Sequence, residues 1–244
     1  MRDKMTLNKF TQLLLILFIS SAFMVSAHAF KKQPLVATDH HRQIVVLIHG
    51  LMRTSWSMSP LKSYLEKQGY QVYYYKYSST RYTIHEHGIY LNQFVTQLLK
   101  KHPGATVHFI THSLGGIIIR EALANLKKNQ LKQVGYLVML APPNQGSFLA
   151  KLSTKMFPLI TAAIKPLAEL SSEQSSYVHH VPIPKIKMGI IAGRFDAKVP
   201  PTAARLKGQN ELVVINTTHT FIMNNSRTKE LISNFLDKGT FAEE

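Results

Sequence analysis

The residue types that could do chemistry meet at one break in the chain. In "FITHSLGGIIIR", Phe109 to Arg120, a β-prone run stops at Thr111-His112-Ser113, passes Gly115 and Gly116, and resumes as an apolar, helix-compatible run. A serine hydroxyl is a weak nucleophile unless a base takes its proton, and it must project from the backbone to meet a substrate. A sharp strand-to-helix turn provides the projection. It sets the hydroxyl at the carboxyl edge of a sheet, above a helix N-terminus whose dipole favours negative charge. Small residues beside the turn relieve its crowding. The competing reading makes Ser113 an N-cap whose oxygen serves only the first helical N–H groups. With twelve histidines in the chain, no single one signals a base by its presence alone.

Such a serine needs a sheet to carry it. The chain has 244 residues, enough for one α/β domain with a sizeable core. Short β-branched and aromatic runs alternate with helical patterns, which predicts βαβ units and a mostly parallel, doubly wound sheet of about six strands. Strands are expected at 43–48, 71–77, 106–110, 135–140, 187–192 and 211–215, with helices at about 56–68, 84–101, 114–127 and 221–236. Each βα connection is short, so helices cover both faces. One connection is long. Residues 147–185 include "SFLAKLSTKMFPLITAAIKPLAEL", apolar and broken by Pro158 and Pro166, and are expected to form a small cap beside the site or else a buried helical hairpin.

The turn "T-H-S-L-G-G" resembles the nucleophile elbow G-x-S-x-G of the α/β-hydrolase superfamily, and the chain as a whole resembles its small secreted bacterial lipases and esterases over roughly residues 43–237. Thr111 stands where the first glycine usually does. The resemblance implies an acid and then a histidine after later strands. No Asp or Glu occurs from Ala122 to Ala168, which leaves Asp196 in "GRFDAKVP", just past the fifth expected strand. Glu211, the nearest competitor, opens a strand at the opposite end of the sheet. His219 in "INTTHTFIMNN" follows the last strand, whereas His179 and His180 precede the acid. His108 and His112 read as packing or local hydrogen bonding. His49-Gly50 after the first strand is similar to the H-G motif of lipases and esterases. It implies an oxyanion hole from the backbone N–H groups of Leu51 and Leu114, with Met52 the alternative to Leu51. Gly50 would permit that turn and His49 would hold the loop. "APPNQGS" also looks like a block of lipase-like members, with no chemical role evident for Asn144 or Gln145.

The family hosts many reactions, and a dehalogenase would want Asp at position 113, so the serine implies acyl transfer to water from an ester. Composition narrows the setting. Met1–Lys9 is basic, Leu13–Ile19 is apolar and Ala27-His28-Ala29 offers small residues for cleavage, so residues 1–29 are expected to be a signal peptide and 30–244 the mature domain. The apolar core is shorter than the ~20 residues of a spanning anchor. Export would lower the formal net charge from +16 to +14, still strongly basic, which favours an anionic membrane surface and a lipid ester in a periplasmic or secreted protein. The absence of cysteine excludes a thiol nucleophile, a cysteine lipid anchor and cysteine-ligated zinc. No metal or redox cofactor is implied, since no ligand-like spacing and no G-x-G-x-x-G after a strand occurs. "YYYKYSSTRY" superficially suits single-stranded nucleic acid, but period two would bury Tyr73, Tyr75 and Tyr77 on one face, so no nucleic acid is expected. The alternatives to a lipase are a deacylase of lipid-anchored glycans and an exported binding protein that keeps the fold without turnover.

Overall fold

A computed structural model describes residues 40, 42–147, 149–151, 156 and 163–242. The expected signal peptide lies outside the described residues, as does part of the expected cap. Six strands form one all-parallel sheet: β1 (Gln43–Ile48), β2 (Gln71–Tyr75), β3 (Thr106–His112), β4 (Val134–Leu140), β5 (Met188–Gly193) and β6 (Glu211–Ile215). Their spatial order is β2-β1-β3-β4-β5-β6. The order reverses between β1 and β3, the place where an open α/β sheet leaves a crevice at its carboxyl edge.

Alternation within the strands builds two cores. Ile44, Val46 and Ile48 of β1 join Val107 and Phe109 of β3 on one face, covered by helices α2 (Ile84–Lys101) and α3 (Leu114–Ala124). Val45 and Leu47 face the other way, toward α1 (Ser59–Glu66) and α4 (Ser226–Lys238). Both faces are covered, so the central strands read as unbroken apolar runs. Tyr73, Tyr75 and Tyr77 pack into the first core, while Val72 and Tyr74 turn to the second, as period two requires.

Several boundaries differ from the sequence reading. β2 stops at Tyr75 rather than Tyr77, β4 starts one residue earlier, β5 lies one residue later, and the first helix is regular only over Ser59–Glu66. Three further differences are larger or bear on the site. β3 runs on to His112, two residues past its expected end, which carries the strand directly into Ser113. The expected helix from Leu114 stops at Ala124 and a separate helical turn follows at Lys128–Leu131. The last helix begins at Ser226 rather than near Phe221, because Asn225 is its N-cap and accepts from the Thr228 N–H. The later start lengthens the loop after β6, which carries His219.

Candidate active site

Ser113 occupies the N-cap position of α3 with φ 53° and ψ −122°, a strained conformation for a residue with a Cβ, and its side chain makes no capping hydrogen bond. The simple capping reading therefore fails. Positive φ at a non-glycine residue occurs among the described residues only at Met52, Ser113 and Ala141, which follow β1, β3 and β4 at the same sheet edge. The turn closes because its neighbours lack bulk. A Cβ on Gly115 would lie 2.7 Å from the Ile48 carbonyl oxygen, and one on Gly50 would lie 2.9 Å from Ser113 Cβ. Thr111 is accommodated by pointing its hydroxyl into the interior, where Oγ1 has no partner.

Asp196 sits in the turn after β5 and is buried. One oxygen does the local work expected of a turn aspartate, accepting from the Lys198 and Val199 N–H groups at 2.9 and 2.8 Å. Its other oxygen accepts from His219 Nδ1 at 2.7 Å. That bond fixes the tautomer and leaves Nε2 as the basic nitrogen. Glu211 instead accepts the Phe241 N–H at 2.7 Å and ties down the end of the chain.

The β1 loop packs against the turn. His49 Nδ1 lies 3.0 Å from the Gly50 carbonyl oxygen, the His49 ring stacks on Tyr77, and Tyr77 Oη donates to the His49 carbonyl at 2.7 Å. Burial lowers the His49 pKa and raises that of Tyr77 well above its usual range, so both stay neutral. The Met52 N–H donates to Ser79 Oγ at 2.9 Å and is spent there.

These parts enclose a cavity of about 550 Å³ that Ser113, His112 and His219 all line. Its wall is mostly apolar, with Leu51 on the β1 side and Leu149, Ala150, Ile164, Leu167 and Leu170 from the segment expected as a cap. Residues 148, 152–155 and 157–162 of that segment lie outside the described residues. Among the described residues no group of three or more histidines and carboxylates is placed to hold a metal.

Residues 39–182, more than half of the chain, match the family model described as serine aminopeptidase, S33, a family of α/β hydrolases. The chain belongs to the α/β-hydrolase superfamily. The structure of Bacillus licheniformis lipase BlEst2 in mature form is similar to this hydrolase at a TM-score of 0.67 and 19% identity, over 80% of this chain and 91% of that one. Aspergillus fumigatus lipase B gives 0.62 at 15% identity, over 80% of this chain and 52% of that one. Phospholipase PlaB from Legionella pneumophila gives 0.52 at 25% identity, over 63% of this chain and 39% of that one.

Three polar residues of this hydrolase do more than the sequence reading assigned. His112 is buried, and its Nε2 lies 3.0 Å from the His219 carbonyl oxygen, so Nε2–H donates to the loop that carries the candidate base. Burial, then the proximity of His219, holds the His112 pKa well below its usual value. A neutral ring beside His219 leaves a developing imidazolium unopposed. Arg120, buried in the apolar α3, donates from Nε to the Pro182 carbonyl at 3.2 Å and from Nη1 to Asn144 Oδ1 at 2.9 Å, and it also reaches the Val181 carbonyl. Asn144 in turn donates to the Ala204 carbonyl at 2.8 Å. The lone cation in "GGIIIREALA" was the available signal that something polar must meet that helix inside the core.

Proposed function

We propose that this hydrolase cleaves carboxylic esters of lipids through an acyl-enzyme. Ser113 Oγ attacks the ester carbonyl while His219 Nε2 takes its proton, and the same nitrogen then returns that proton to the leaving alcohol. Water, deprotonated by His219, releases the carboxylic acid and restores Ser113. Asp196 holds the imidazole in the right tautomer and offsets its positive charge. The Leu51 and Leu114 N–H groups stabilise the oxyanion, a role that Met52 is poorly placed to take because its own N–H is engaged.

The observation that carries this reading is the single cavity shared by Ser113 and His219, with Asp196 behind the histidine. The apolar wall favours an acyl chain over a peptide, and lipases and a phospholipase are among the proteins of similar structure. A scaffold that only binds would have no need of the backbone strain kept at Ser113. The basic, then apolar first 29 residues and the high net charge support export and action at an anionic membrane surface. Fluorophosphonate should label the protein at Ser113, and p-nitrophenyl ester hydrolysis should rise from acetate to octanoate. A protein that neither takes the label nor cleaves any of these esters would overturn the proposal.

A further inference from the structure

The cavity beside Ser113 is apolar except for its reacting groups, His112, Ser147 and two cations. Arg53 and Lys198 both line it, and no Asp or Glu does. Neither cation has an ion-pair partner among the described residues. The nearby Asp196 makes no ion pair with Lys198; its oxygens accept from the Lys198 and Val199 N–H groups and from His219. Arg53 also lines a second, shallower cavity of about 280 Å³ together with Ser57, Asn224 and the exposed Trp56 and Phe221. It therefore stands between an apolar chamber and a polar-and-aromatic one. A simple ester or an acylglycerol offers such a cation no opposite charge. A guanidinium beside apolar surface is matched instead by an oxyanion that it can grip through paired N–H donors.

The geometry points to a glycerophospholipid as the substrate, with its acyl chain in the apolar cavity, its phosphate on Arg53 and Lys198 as the second cation. This rests on the ester-hydrolase reading above and sharpens it. The ester carbonyl is then held between two fixed ends, the chain on one side and the phosphate on the other, and this orients it toward Ser113.

Monomeric dihexanoyl phosphatidylglycerol and dihexanoylglycerol, both below micelle-forming concentration, test this without an interface. The wild type is expected to favour the phospholipid in kcat/KM by about tenfold or more, and Arg53→Gln to cut that ratio by about tenfold. Arg53→Lys should retain part of the preference, and Lys198→Gln should lower the ratio by about threefold. Lys100→Gln, which removes the same charge at the far end of α2, should leave the ratio within about twofold. Equal use of both substrates by the wild type would overturn the inference. So would an equal loss in Arg53→Gln and Lys100→Gln, since general attraction by a basic protein would then explain the preference. Activity on p-nitrophenyl esters alone would overturn it and leave the ester-hydrolase reading standing, whereas inactivity on every ester would remove that reading.

Discussion

On one side the cavity is backed by tightly packed main chain. Gly50 lies against Ser113 and Gly115 against the end of β1, each so close that a Cβ would collide, and Tyr77 holds the loop by its carbonyl. On the other side the wall is side chains, the leucines and isoleucine of 149–170, and the segment is held to the domain by the buried Leu170, Val178 and Val181 and by polar staples. Tyr177 Oη donates to Glu121 Oε1 at 3.1 Å, and Arg120 binds the carbonyls of Val181 and Pro182. The first construction has no slack, because main chain cannot repack around an added atom. The second tolerates exchange of one apolar group for another. Chemistry should therefore be sensitive along the first wall, and substrate choice adjustable along the second.

Substitutions can break that contrast. Asp196→Asn should reduce kcat for a p-nitrophenyl ester by about a thousandfold or more with the fold intact, through loss of the histidine's tautomer and charge support. A nearly silent Asp196→Asn would remove the acid from the mechanism. Gly50→Ala comes next, at about a hundredfold in kcat, since the new methyl must displace either Ser113 or the β1 loop by several tenths of an ångström. Leu167→Ala, on the side-chain wall, should raise KM for long acyl chains by about threefold to tenfold and leave kcat nearly unchanged. If Leu167→Ala lowered kcat as much as Gly50→Ala, the two walls would not differ in kind.

The smallest effect lies behind the backbone wall. His87 on α2 meets the Tyr77 ring edge-on at 4.9 Å, and burial lowers its pKa to about 4. The unfolded chain takes a proton near pH 6.5 that the folded state refuses, so stability falls as pH drops from about 6.5 toward 4. His108, also lowered to about 4 by burial, adds to the same slope. His87→Phe should flatten but not abolish it, read as the difference in urea midpoint between pH 7.5 and pH 5. An unchanged slope would mean that the His87 ring is protonated in the folded state.

Much of this arrangement was legible in the sequence because local pattern and fold agree there. β1 and β6 have their expected ends, since alternate residues face two apolar layers and the flanking residues are polar. Ser113, Asp196 and His219 were picked out by type and by their place after strands, and the structure sets Asp196 against His219 and lines one cavity with Ser113 and His219. The late start of α4 was missed because "FIMNN" is apolar enough to read as helix, and only the Asn225 cap shows where the helix begins. The contact of His112 with His219 was not legible, and the lone cation of α3 signalled a buried polar contact for Arg120 without naming Asn144. These contacts join residues 107 and 24 positions apart, and nothing local in either stretch says which partner lies across the fold.

The strand order has a consequence for how the chain reaches this state. Ile44 is paired with Gln71 on one side and with Val107 on the other, and no two strands of the sheet are antiparallel neighbours that a tight hairpin could join. Every pairing must wait for a crossover to be made, so loop closure precedes reward and the domain belongs among slow folders. β1, apolar toward both layers, is synthesised first of the six and gains its second partner only when β3 has emerged. Until then it is the adhesive part of a growing chain, and the yield of folded protein is set by whatever shields it during that interval.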